Sequence, residues 1–208
     1  MMIKKILPFL FAATAASVPT AEAVEEYVGE PTKKLAQQAA RCAGVMAFSS
    51  VVLNDTTTSA SRIFIGFSTK ALGESVTKEL GFEKIDSYKG QKNLQGKLAG
   101  DLENCQKVLT AVDYNEQAQR IAECAGVALT IGQKETGEIL GVASSVMLED
   151  VKHAAAIAAK WNASLRQGSD EARKAAHACK PVFDIITKEK EKRESGVSTP
   201  KMRLEINI

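Results

Sequence analysis

Apolar residues recur along most of this chain at alternating spacings of three and four, the period of one helix face. The first stripe follows Pro31 and runs through Leu35, Ala39, Cys42, Val45 or Met46 and Ser49, with Gln37, Gln38 and Arg41 off it. Asn54-Asp55-Thr56-Thr57-Thr58 ends that helix, because short hydroxyl and amide side chains compete for the backbone. From Ser59 to Leu80 a second stripe contains Ile65, Thr69, Leu72, Val76 and Leu80, and Ile63, Phe64 and Phe67 widen it to nearly the whole circumference. That pattern predicts a helix in the middle of a bundle. Residues 62–67 alone also suit a short strand. Gly81 fits a C-cap, and Phe82 to Gly90 reads as a connection.

A third element, from about Gln91 to Val112, carries Leu94, Leu98, Leu102, Cys105, Val108 or Leu109 and Val112 on one face. It includes Gly96-x-x-x-Gly100, which in a soluble helix points to close packing or local fraying. Asp113 and Glu116 have the spacing of a capping box and predict a helix start there. The fourth element then runs from Tyr114 to about Gln133, with Gly132 and Gly137 marking the turn. Leu140, Met147, Val151, Ala154, Ala158, Trp161 and Leu165 define the fifth, broken by Gly168 and Ser169. The sixth starts near Asp170 and places Ala172, Cys179, Val182 and Ile186 on one face, with Pro181 expected to kink or restart it. Residues 188–194 alternate lysine and glutamate as a solvated helix end.

One stretch occurs twice. Cys42-Ala43-Gly44-Val45 returns as Cys124-Ala125-Gly126-Val127, and Ala36, Gln37 and Ala40 return as Ala118, Gln119 and Ala122. A further cysteine follows each copy, Cys105 and then Cys179, with Val108 and Val182 three residues beyond. The expected architecture is therefore all-α: a helical bundle built from two tandem three-helix repeats, residues 24–112 and 113–194, each stapled by a disulfide.

The first residues change the picture of where this bundle works. Lys4 and Lys5, an apolar run from Ile6 to Ala16, and Ala21-Glu22-Ala23 have the order of a secretory signal peptide, residues 1–23. The apolar run is short for a membrane span, which needs about 20 residues. Removing it takes away Lys4, Lys5 and Glu22, so the formal charge falls from +2 to +1. A near-neutral chain has no electrostatic footprint for nucleic acid, and no polybasic run for a membrane surface. The high alanine and low aromatic content suits helices with closely spaced axes. Residues 195–208 read as a flexible C-terminal tail, in which Leu204, Ile206 and Ile208 alternate with polar residues in a way that also suits a strand added to a partner's sheet.

Four cysteines in an exported chain predict two disulfides. No two lie at zinc-site spacing and no Cys-x-x-Cys-His is present, so neither a structural metal nor covalent haem is expected. In an up-down-up trio the first and third helices run parallel. Cys42, about ten residues into its helix, and Cys105, about fourteen, then come to similar heights at ~1.5 Å per residue. Repeat logic favours Cys42–Cys105 with Cys124–Cys179. The competitor, Cys105–Cys124 with Cys42–Cys179, follows if the chain makes a hairpin near Asp113.

Candidate chemistry is sparse. Glu149, Asp150 and His153 share a helix side and could contribute to a metal site, but His177 has no matching carboxylates before it. His153 reads better as a flank residue beside an apolar stripe. His177-Ala178-Cys179 would need two residues facing different ways to act as base and nucleophile, and Cys179 is already assigned to a bridge. Gly132 to Gly137 has the glycine spacing of a phosphate loop, yet Glu138 stands where its lysine belongs. Asn54 and Asn162 fit the glycosylation pattern, the second inside a helix.

These readings predict no catalytic residues, metal or cofactor. The expected role is non-catalytic binding or assembly in the periplasm or outside the cell, with another exported or envelope protein as partner and no stable membrane insertion. The alternative is a carrier of a small apolar ligand held between the halves by Phe64, Phe67, Met147 and Trp161. Those four, with Leu204, Ile206 and Ile208, are the candidate contacts.

Overall fold

A computed structural model of the chain describes residues 27–53 and 58–194. The expected signal peptide, Asn54 and the tail with Leu204, Ile206 and Ile208 lie outside the described residues. The described residues form seven α-helices and no strand: α1 (Glu30–Leu53), α2 (Thr58–Leu72), α3 (Glu74–Asp86), α4 (Leu94–Thr130), α5 (Lys134–Met147), α6 (Val151–Ser164) and α7 (Asp170–Glu194).

The helical period places the apolar faces well, but three boundaries differ from expectation. The Ser59–Leu80 element breaks at Gly73, whose φ of 84° requires the left-handed region that only glycine enters freely. Its carbonyl then starts α3, accepting from the Thr77 N–H at 3.2 Å and the Thr77 hydroxyl at 2.9 Å. Helix α3 runs on through Gly81 and Phe82, which were expected to end it. The fifth element breaks similarly. Glu149 adopts φ 53°, and the Asp150 side chain caps α6 by accepting from the His153 N–H at 2.9 Å.

In contrast, nothing interrupts the chain at Asp113. Helix α4 passes straight through, and Asp113 and Tyr114 are exposed on it. No glycine or proline stands there, and Val112, Asn115 and Ala118 are all buried across the junction. Packing thus continues a helix whose local sequence would equally suit a start. The described residues thus hold seven helices where six were expected, and α4 spans the expected boundary at residue 113.

Helix α4 is the organising element. Over its first half only one side is buried, with Leu98, Cys105, Val108 and Val112 packed into a core with Val45, Met46, Phe64, Phe67 and Tyr88. From Ala118 onward nearly every residue is buried, because α5, α6 and α7 pack around it. Ile121, Cys124, Ala125 and Val127 join Leu140, Cys179, Val182 and Ile186 in a second core. Ala118 and Ala122 meet Leu148, Ala154 and Ile157 in a third.

The disulfides are Cys42–Cys105 and Cys124–Cys179, each with Cα atoms 5.5 Å apart. The continuous α4 excludes the competing pairing, since Cys105 and Cys124 are about 28 Å apart on one straight helix. The reasoning from parallel helices does not hold. Cys42 pairs with Cys105 while Thr32 meets Asn115, so α1 and α4 run antiparallel. The extra break at Gly73 supplies the reversal that a trio lacks.

Helix α7 behaves differently from α1. Gln167, just before it, lies about 4 Å from where a Cβ on Gly132 would stand, at the end of α4. Near its other end Lys190 pairs with Glu135 in the first turn of α5, at 2.7 Å. Both ends therefore reach the same end of the bundle, and α7 crosses α4 at its bridge. Pro181 sits inside α7 on the exposed face, where the carbonyl it leaves without a backbone partner can meet solvent.

The repeated Cys-Ala-Gly-Val stretch is nevertheless used the same way twice. Gly44 presses its backbone on Gly81 of α3, and Gly126 presses its backbone on Ala158 of α6. A Cβ at either glycine would stand 2.3 Å from the facing carbonyl oxygen. The Gly96-x-x-x-Gly100 pattern, which looked like the close-packing candidate, makes no such contact. Gly100 faces open space, and the Gly96 N–H donates to the capping side chain of Asn93 at 3.2 Å.

Candidate functional site

Among the described residues, an apolar groove and a seam between helices have the geometry to bind something. The first is an apolar groove of about 420 Å³ on the outer side of α1, α2 and α3. Its floor is made of small residues, Ala43, Gly44, Ala47 and Gly81, because the close approach of α1 and α3 leaves no room for larger ones. Its rims carry Ile65 from α2 and Phe82 from α3, 47% and 61% exposed. Glu74 and Lys78 pair with each other at the edge. The stripe expected to place Ile65 and Val76 inside a bundle is therefore partly wrong. Phe64, Phe67 and Ser68 face inward, and Ile63, Ile65 and Val76 are at least 40% exposed.

The second place is the seam between the two ends of the molecule. A chain of polar groups, buried except for Lys70 at its outer end, crosses it. The Lys70 ammonium donates to the Gln119 side-chain oxygen at 3.0 Å, and the Gln119 amide nitrogen donates to the Asn115 oxygen at 2.7 Å. Asn115 donates in turn to the Thr32 hydroxyl at 3.1 Å, which lies 3.3 Å from His153 Nδ1. Thr32, Asn115, Gln119 and His153 are each less than a tenth exposed. Buried polar groups this well paired fix one arrangement of the surrounding helices, because losing a partner leaves a desolvated donor or acceptor.

The chain joins α2, α4, α1 and α6, and the residues before α1 extend it. Tyr27 meets the His153 ring edge-on at 6.3 Å and donates to Asp150 at 3.5 Å. Gly29 packs so closely on Asp150 that a Cβ there would overlap its carboxylate. A cavity of about 20 Å³, room for roughly one water molecule, lies between Val28, Phe67, Lys70 and His153. Beside it opens a cleft of about 320 Å³ between α2, α4 and α6, of mixed lining, with Lys70, Gln119, Glu123, Lys160 and Ser164 as its polar groups and Ile157 and Trp161 as its apolar ones.

A third cluster holds the α3–α4 connection. Asp101 accepts from Tyr88 and Lys84, both at 2.7 Å, and Phe48 stacks on the Tyr88 ring at 4.5 Å. Lys84 and Lys97 each lie 5.4 Å from the centre of that ring. Burial, with the Asp101 carboxylate beside it, pushes the Tyr88 phenol well above its ordinary value. Burial alone would raise the Asp101 carboxyl. Hydrogen bonds from Lys84 and Tyr88, and the charges of Lys84 and Lys97, outweigh it and hold that group low.

The sequence-derived candidates fall in different places. Phe64 and Phe67 belong to the first core, whereas Met147 and Trp161 are partly buried against the second and third. The four do not line one chamber. Only Phe67 and Trp161 approach the seam, through cavities that share Lys70, Gln119 and Ile157. The Asp150–His153 spacing serves a helix cap, and among the described residues no group of three His, Cys, Asp or Glu side chains could hold a metal. His177 is exposed, and Cys179 is bridged. Asn162 accepts from Thr130 at 3.0 Å. Lys70, Asn115 and Gln119 escaped the sequence reading because single polar residues on amphipathic helices carry no signal until their partners are known.

Among the described residues, no helix is long and apolar enough to cross a membrane. Two disulfides point to a non-reducing, exported environment. Comparison with known proteins found no match to any family model, curated protein or solved structure.

Proposed function

We propose that this is an exported, non-catalytic binding or assembly protein whose groove between α1, α2 and α3 receives an apolar helical segment of another exported or envelope protein. The observation that carries the reading is the groove itself. Its floor of alanine and glycine admits a helix closely, and Ile65 and Phe82 stand on its rims as apolar contacts. That is the helix-in-groove mode of recognition, in which one apolar face is laid between two ridges. Support for the compartment comes from the two bridges and from the signal-like residues 1–23. The same reading takes the chain as two related stapled units, residues 24–112 and 113–194. It is supported by the matching use of Gly44 and Gly126 and by one bridge in each unit.

A carrier of a small apolar ligand between the halves is the weaker reading, because lysines, Gln119 and Glu123 line that space. The test places a photo-crosslinking residue at position 82 and, as control, at exposed position 107, in cells that export the protein. A discrete cross-linked partner at 82 alone, lost in the Ile65→Glu variant, is the expected result. Equal labelling at both positions would reject the groove as the contact surface.

A further inference from the structure

The two copies of the repeated stretch carry the groove once open and once filled. The register that aligns Cys42 with Cys124 places Ala43 and Ala47 on Ala125 and Leu129. Along α2 and α5, the register that aligns Gly73 with Glu149, both at positive φ, also aligns Phe64 with Leu140 and Ser68 with Ser144, all four buried. It places the groove residues Ser61 and Ile65 on Gly137 and Gly141. Along α3 and α6, the matching contacts of Gly44 with Gly81 and of Gly126 with Ala158 place Phe82 on Ala159 and Ile85 on Asn162.

At the second copy the space is taken from within. The Leu129 side chain lies over Gly137, with Cγ and Cδ2 each 2.8 Å from where a Cβ would stand. The apolar rims are absent there, because Gly141 and Ala159 replace Ile65 and Phe82, and Asn162 accepts from Thr130 at 3.0 Å. At the first copy Ala47 ends at its Cβ, and Ile65 and Phe82 stand beside the hollow that it leaves. The charged groups of the lining, Glu74 and Lys78, pair with each other at the edge, so no charge is offered to a polar side chain entering the hollow. We infer that the groove is specific for a helix presenting leucine, whose side chain enters between Ala43, Ala47 and Ser61 as Leu129 does beside Ala125 and Gly137. Ala47 is the residue that keeps the site open. This rests on the groove reading above and names the chemistry of its partner.

The probe is a fluorescently labelled host helix of alanine, glutamate and lysine with leucine at two positions one turn apart. Matched peptides carry alanine, asparagine or phenylalanine at those positions. Anisotropy titrations with the oxidised mature chain should show saturable binding of the leucine peptide, weakened about tenfold or more in the other three. Ala47→Leu, which copies the second site, should weaken that binding by a similar factor while its thermal midpoint stays at or above that of wild type. Ser61→Leu fills the hollow from α2 and gives the same answer should Ala47→Leu fail to fold. No saturable binding of the leucine peptide up to about 1 mM would overturn the inference. So would equal binding of the alanine or phenylalanine peptide, or leucine-peptide binding unchanged in the folded variants. The cross-link at position 82 separates this failure from that of the groove. A partner still captured there means that the groove takes another chemistry, and loss of that capture from wild type rejects the groove itself.

Discussion

Alanine in place of Gly44 or Gly126 separates helix propensity from helix packing at two sites with the same local sequence. In an open helix, glycine to alanine stabilises by up to about 1 kcal/mol, since glycine loses more backbone freedom on folding. At Gly44 the added Cβ would stand 2.3 Å from the Gly81 carbonyl oxygen. At Gly126 it would stand 2.3 Å from the Ala158 oxygen and 2.8 Å from the Trp161 Cβ. An ordinary carbon–oxygen contact is about 3.3 Å or longer, so the helices must part by about 1 Å. A gap of that size forfeits a quarter to a half of the dispersion energy of each neighbouring contact, roughly, and overpacking of this kind costs about 1–3 kcal/mol. Relief is limited because Cys42 and Cys124, two residues earlier, tie each helix to another. Overpacking therefore outweighs propensity, and both variants should lose about 1–2 kcal/mol.

The control is the same substitution at Gly66, Gly100 or Gly141, where no atom lies within 4 Å of the new Cβ. Those variants should gain about 0.5–1 kcal/mol. Urea and thermal unfolding followed by far-UV circular dichroism resolve the difference, since about 1 kcal/mol moves the midpoint by roughly 2–4 °C in a domain of this size. Gly44→Ala and Gly126→Ala unfolding at or above the wild-type midpoint would refute the packing argument. So would a loss at Gly100 as large as theirs.

Other consequences follow from single features. Replacing Cys124 and Cys179 together by alanine should cost on the order of 4 kcal/mol for the 55-residue separation they close, and Cys42 with Cys105 a similar amount for 63, both read from urea midpoints. Ser49 is buried with no hydrogen-bond partner for its hydroxyl, so Ser49→Ala should raise stability by about 1 kcal/mol and raise the thermal midpoint accordingly. Asn115→Leu leaves Gln119 and Thr32 each short of a partner, and should lower stability by about 1–3 kcal/mol in the same assay. Asp101 is held low in the fold, so its contribution is present above the unfolded carboxyl value and lost as pH falls through the folded one. The stability advantage of wild type over Asp101→Asn should hold at neutral pH, begin to shrink near the ordinary carboxyl value of about pH 4, and disappear only as pH falls further, through the lower folded value, in acid titrations of unfolding.

The apolar period by itself determined that the chain is helical and most of the faces that turn inward, though not those of Ile65, Val76 and Val151, because burying a face is the main source of helix stability in a protein. Cysteine count pointed to two bridges, and the duplicated Cys-Ala-Gly-Val favoured the pairing that forms, but only the continuous α4 excluded the competitor. Where the helices end was a different matter. Asp113 is compatible with a start or an interior, and only packing on both sides of it chose the interior. Gly73 and Glu149 break helices that the apolar stripe alone would carry through. The direction of α1 against α4, the crossing of α7, and the exposure of Ile65 and Phe82 were likewise settled by the tertiary structure. So was the meeting of Lys70, Gln119, Asn115, Thr32 and His153, residues up to 121 positions apart. Hydrophobic spacing states that a residue is buried and says nothing of what it is buried against. That partner is fixed only when every helix has found its place.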